Sequence, residues 1–191
     1  MAPPLPPNKR YIATHDANGK SVYASSPDQV YIAPAGSAIN VARSYSVPNV
    51  PVNFADDEDL KGYLAGPESV SSFQRTEIVV PSEGGNNNGA NCLVVDLQPG
   101  AFSVMHQTVS NDFSICVIGT IVHELDSGER VTLKAGDHIV QRGTNHRWIN
   151  ASKTEPARFV AVTIPSVPLE IGGEVLEEVH IPDQSSYQPK L

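Results

Sequence analysis

GDHIVQRGTNHRWIN, residues 136–150, is the stretch on which the fold turns. Arg142-Gly143-Thr144 carries turn chemistry, and after it His146, Trp148 and Asn150 follow at intervals of two. In a strand that spacing puts all three side chains on one face. A face that only filled a core would more often read Val, Leu and Ile. An imidazole, an indole and an amide together point to a polar site inside a β-structure.

Working outward, the chain is punctuated throughout by 14 glycines and 16 prolines, with short β-branched runs between them. That pattern predicts many short strands. The candidates are 11–16, 21–25, 38–47, 76–80, 91–98, 101–108, 112–119, 120–126, 129–135, 137–143, 146–150 and 157–164. HDANGK (15–20), QPGA (98–101) and LDSGE (125–129) supply the turns. DDEDLKGYL (56–64) is the one helical stretch, with acidic residues in its first turn where the helix dipole favours them. SEGGNNNGAN (82–91) reads as a surface loop, and EVLEEVHI (174–181) as one further strand. Residues 91–164 alone hold enough strands to close a small barrel.

The organisation expected is a flexible arm over 1–10, then strands and a helix packed on the barrel over 11–90. The barrel core follows over 91–165, and a C-terminal strand and tail over 166–191. Composition narrows the function classes. A net charge of −8 with no basic cluster argues against a nucleic-acid partner, which needs Lys and Arg against phosphates. No apolar run reaches the length of a membrane span. MAPPLPPNKR (1–10) lacks the apolar core of a secretory signal, so a cytoplasmic protein is expected. Cys92 and Cys116 sit in apolar surroundings and read as reduced thiols.

Within the barrel segment, His106 and Thr108 share one strand face. Asp112 follows the Val109-Ser110-Asn111 turn, and Ser114 and Cys116 continue its alternation. If the strands of His106 and His146 are neighbours, one pocket receives two imidazoles and a carboxylate. Thr108, Ser114, Cys116 and Trp148 would line it, with Cys116 lacking a base that would make it a nucleophile. Arg142 either holds a substrate carboxylate or forms an ion pair on the rim. Asn150 would hold the turn through backbone hydrogen bonds. His123 would face the barrel only with a register slip. Tyr31, Arg43 and Tyr45 are candidates to cover the barrel mouth.

PGAFSVMHQTVSNDFSICVIG, LDSGE and GDHIVQRGTNHRWIN together resemble the two motifs of the cupin superfamily, over about residues 91–165. The THDANGK hairpin, RSYSVPNVPVNF and IGGEVLEEV extend the resemblance over most of the chain. The wider pattern is similar to small single-domain cupins of fungal secondary-metabolite gene clusters. The resemblance implies an all-β, jelly-roll barrel with added N-terminal strands and one short helix. It also implies a homodimer and a small, oxygenated, polyketide-like substrate.

In metal-binding cupins the first motif supplies two histidines and a Glu, and the second a third histidine. Here His106, Asp112 and His146 match three of those positions and Thr108 stands at the other. Two chemistries stay open on that set. In one, His106 and His146 exchange protons with the substrate while Asp112 orients or charges an imidazole, giving dehydration, decarboxylation or isomerisation. In the other, His106, Asp112 and His146 hold one divalent ion, Fe or Zn, as in a non-haem iron dioxygenase. A non-catalytic ligand-binding cupin is the third reading.

Overall fold

The computed structural model describes residues 4–33, 37–65 and 89–180. The strand expected over 76–80 and most of the loop over 82–91 lie outside the described residues. Strands β1 (Ile12–His15) and β2 (Ser21–Ala24) form a hairpin across the DANG turn, and β3 (Tyr31–Ile32) precedes β4 (Ile39–Val47). A short helix, α1 (Glu58–Leu64), falls within the acidic stretch that predicted it. The barrel follows as β5 (Ala90–Leu97), β6 (His106–Gln107), β7 (Ser110–Ile118), β8 (Thr120–Leu125), β9 (Arg130–Lys134), β10 (His138–Arg142), β11 (His146–Asn150) and β12 (Ala157–Pro165). Three two-residue strands close the described chain: β13 (Glu170–Ile171), β14 (Glu174–Val175) and β15 (Val179–His180).

Two antiparallel sheets face each other, with orders β10-β7-β12-β5-β4-β3 and β15-β6-β11-β8-β9. Strands adjacent in sequence, such as β7 and β8, lie in different sheets, which is the jelly-roll arrangement the sequence led us to expect. Alternation is legible in the burial. Ser110, Asp112, Ser114 and Cys116 of β7 point inward, while Phe113 between them and Val117 after them are exposed. Gly119 makes the β7–β8 corner with a positive φ, and a Cβ there would lie 2.9 Å from that of Ala157. Leu97, Cys116, Ile121, Leu133 and Ala157 belong to one buried cluster that fills one half of the barrel.

Four expectations are corrected. The segment 101–108 is not a regular strand; it keeps one bridge, Phe102 to Ile149, before β6. Ser103 is spent on Trp148, donating its N–H to the carbonyl and accepting the Trp148 N–H on Oγ. The single strand over 174–181 is instead β14 and β15, separated by an irregular stretch.

The third correction concerns β4, which is not laid around the barrel but is a full member of its six-stranded sheet, paired along β5 with a bulge between Arg43 and Tyr45. The fourth concerns the expected loose arm, which over its described residues 4–10 is tied down. Arg158 donates to the Pro6 carbonyl, Gln29 to that of Asn8, and Arg10 to that of Ser44. Arg158 also holds Asp96 in a two-bond ion pair at 2.5 and 2.7 Å, with both side chains 6% exposed. Their Cα atoms are register partners on β12 and β5, so the sheet itself aligns the pair. Both cysteines are free, and among the described residues no helix is long and apolar enough to cross a membrane.

Candidate active site

The half of the barrel that the core leaves unfilled is a cavity of about 650 Å³. Its walls follow from register. On the six-stranded sheet, Phe159, Ala161 and Thr163 of β12 lie beside Val95 of β5 and Ser114 and Asp112 of β7. Ile39 and Val41 of β4 extend that wall. On the facing sheet stand His106, His146 and Trp148, with Phe102, Ser103 and Val104 at the edge.

Of the residues named from sequence, His106, Thr108, Asp112, Ser114, His146 and Trp148 line this cavity. Cys116 does not: it lies in the packed half with its Sγ toward the Ile118 and Gly119 carbonyls. Arg142 does not either, because it ends β10 on an outward position and is exposed. Tyr31, Arg43 and Tyr45 do not cover the mouth. Tyr31 packs under Arg158 and bonds Asn8, Arg43 bonds Asn91, and the Tyr45 hydroxyl donates to Asp59. Asn150 sits below the cavity, fully buried. Its Nδ2 donates to the carbonyls of Leu97, Gln98 and Glu155, and its Oδ1 accepts the Ser152 N–H.

His106 and His146 are register partners on β6 and β11, which brings their rings to 4.3 Å between centroids. Each presents Nδ1 to a backbone carbonyl at 2.9 Å, Val104 for His106 and Thr144 for His146. A carbonyl oxygen only accepts, so Nδ1 carries the proton in both rings and Nε2 bears the lone pair of the neutral form. Gly143, with φ +60, makes the turn that delivers the Thr144 carbonyl. The expected orienting role of Asp112 is therefore corrected, since backbone carbonyls fix the imidazoles. Burial, followed by the nearby His106, pushes the His146 pKa down to about 3, so its ring is neutral near pH 7.

The sequence turned His123 toward the barrel only on a register slip, and the structure puts it in this layer. It pairs with Trp148 across β8 and β11, stacks on His146 at 5.1 Å and meets Trp148 edge-on at 4.6 Å. Its Nε2 donates to Gln141 Oε1 at 3.0 Å, while Gln141 Nε2 donates to the same Thr144 carbonyl that holds His146. Gln141 and His123 thus brace His146 from behind. Alternation along β10, where Gln141 is the buried member among exposed neighbours, was the available signal. The aromatic wall continues from Trp148 to Phe159, stacked at 4.5 Å.

Asp112 stands on the other sheet. It is buried, and its Oδ1 has no hydrogen-bond partner. Burial pushes its pKa up to about 6, opposed by a hydrogen bond from Ser110, which in turn bonds Thr108 at 2.8 Å. The three-residue ligand set expected for a metal is not assembled in this arrangement. The two imidazoles stand on one sheet and Asp112 on the other, and the two histidine rings are tilted by 48° to each other. Among the described residues no group of three or more His, Cys, Asp or Glu side chains could hold an ion.

The family described as Cupin domain matches residues 93–163. The phomopsin biosynthesis cluster protein C' of Diaporthe leptostromiformis is 38% identical over 176 residues, covering 92% of this chain and 87% of that protein. The cupin-domain-containing oxidoreductase virC of Hypocrea virens is 31% identical over 173 residues, covering 89% and 82%. Among solved structures, the polyketide cyclase RemF from Streptomyces resistomycificus is 11% identical, covers 83% of each chain and gives a TM-score of 0.47.

Proposed function

The chain belongs to the cupin family, and on that premise we propose that it is a small-molecule enzyme of secondary metabolism whose cavity performs acid–base chemistry of the lyase or isomerase kind. The observation that carries this reading is Asp112, a buried carboxyl with an unpartnered oxygen and a pKa of about 6 in an apolar cavity. A group titrating that close to neutrality can both take and return a proton. As carboxylate it takes a proton from a carbon beside a carbonyl. As acid it returns the proton to a neighbouring carbon, or to a departing hydroxyl. His146, neutral and fixed with Nδ1–H on Thr144, offers Nε2 as a hydrogen-bond acceptor across the cavity. His106 flanks it as the second imidazole. Trp148 and Phe159 keep water from the reacting bonds.

The test is isotope exchange in D2O with a panel of hydroxylated ketones and aldehydes, followed by NMR. Deuterium entering beside the carbonyl should fall at least about 100-fold in Asp112→Asn, the usual contribution of a positioned acid–base group. Exchange that ignores Asp112→Asn, or none with any compound, overturns the reading. The relatives named as oxidoreductases favour a second reading, oxidation of the same ligand. Turnover that stops when oxygen is removed would select it.

A further inference from the structure

The hydrogen-bonding roles of the cavity wall say what kind of molecule it takes, on the reading that this cavity is the working site. Among the described residues, no Lys or Arg side chain lines it. Acceptors with fixed roles stand on opposite sheets. On one is Asp112, whose Oδ1 is buried without a partner. On the other are His146 and His106, whose Nδ1–H groups are given to the Thr144 and Val104 carbonyls, so that Nε2 carries the lone pair of each neutral ring. Thr108 is committed to Ser110, and Ser103 to Val104 and the Trp148 N–H.

The rest of the surface is mostly apolar, with Ile39, Val41, Val95, Phe102 and the stacked Trp148–Phe159 pair, and it also carries Ser37, Ser114 and Thr163. A carboxylate or phosphate would enter this space desolvated, beside an acid of its own sign and with no cation to meet it. A flat apolar body bearing hydroxyls meets every one of these surfaces.

We propose that the cavity binds an uncharged, flat apolar ligand, a phenol-like one above all. One of its hydroxyls donates to Asp112 and a second donor reaches His146, and anionic ligands are rejected. A ligand hydroxyl gives the cavity-lining Asp112 carboxylate a donor besides the Ser110 hydroxyl. A ligand lacking it desolvates the carboxylate without that donor, which is why such sites discriminate strongly against analogues missing one.

Trp148 is the single tryptophan of the chain and lies in the cavity wall, so its fluorescence reports occupancy. The probes are 4-propylphenol, its methyl ether 4-propylanisole, and 4-propylbenzoate, titrated at neutral pH with excitation at the red edge of the indole band. The phenol should bind at least about tenfold more tightly than the ether, and the benzoate more weakly than both. In Asp112→Leu the phenol should lose that advantage while the ether keeps its affinity. Should that variant fail to fold, Asp112→Asn, which replaces one acceptor oxygen by a donor, should narrow the preference.

An ether as tight as the phenol, a benzoate tighter than either, or no response from Trp148 to any probe overturns the proposal. The readout needs no turnover. A donor preference without Asp112-dependent isotope exchange removes the catalytic reading and leaves this one, and exchange without a donor preference does the reverse.

Discussion

Replacing Asp112 by Asn should make this protein more stable at neutral pH, and the size of the gain follows from its surroundings. In the fold Asp112 loses its proton near pH 6, whereas its ordinary value is 3.8, because burial penalises the charged form more than the Ser110 hydrogen bond favours it. Between those two values the unfolded chain binds fewer protons than the folded one. Stability therefore falls as pH climbs from about 4 to about 6, and the whole loss is present above 6. At about 1.4 kcal/mol per pH unit, that interval amounts to about 3 kcal/mol.

Asn has the same shape and no charge to bury, so Asp112→Asn removes the penalty. Urea unfolding of both proteins should show a gain of up to about 3 kcal/mol at about pH 7.5 and nearly none at about pH 4. His146, held down to about 3, works in the opposite sense: its stability is lost as pH falls below 6.5. That contribution is common to both proteins and cancels in the difference. A difference that is the same at both pH values, or a variant less stable at pH 7.5, would refute the assignment of Asp112 as a strained buried acid. A gain in stability together with lost proton exchange is the trade expected of a working group.

Other perturbations are equally specific. The His146 Cε1–H resonance should not move between about pH 5 and pH 8, because its pKa lies near 3; an NMR titration checks this. Ser110→Ala should raise the Asp112 pKa above 6 by deleting its one hydrogen bond, as read from the carboxyl carbon by NMR. Arg158→Met should cost about 3–5 kcal/mol in denaturant unfolding, since it leaves the Asp96 charge buried alone, and Asp96→Asn in the same chain should recover much of it. Asn150→Leu removes a donor from the Leu97 and Glu155 carbonyls and the acceptor of the Ser152 N–H, while the Gln98 carbonyl keeps the Ala101 N–H, and it should cost about 3 kcal/mol at roughly 1 kcal/mol for each of the three groups.

Much of the architecture is local and was therefore legible. The turn at Gly143, the alternation of His146 with Trp148 and of Asp112 with Ser114, and the acidic opening of α1 are all properties of a few consecutive residues. Alternation fixes which face a side chain takes, and it did so correctly along β7 and β11. It says nothing of depth along the barrel. Cys116 and Asn150 share faces with Asp112 and His146, yet both sit in the packed half. Depth is set by the register between strands far apart in sequence. That same register brings Ile39 and Val41 of β4, and Phe159 and Thr163 of β12, into the cavity.

By itself, then, the sequence determined most of the strands, the inward faces of β7 and β11 and the family motif, because those are written in period-two patterns and turn residues. Only the tertiary structure decided that Asp112 stands across the cavity from the imidazoles instead of beside them. It also decided that the carbonyls of Val104 and Thr144 hold the imidazoles and that Gln141 and His123 brace His146. Those relations are made between two sheets, through hydrogen bonds and burial that exist only once the sheets have closed on each other.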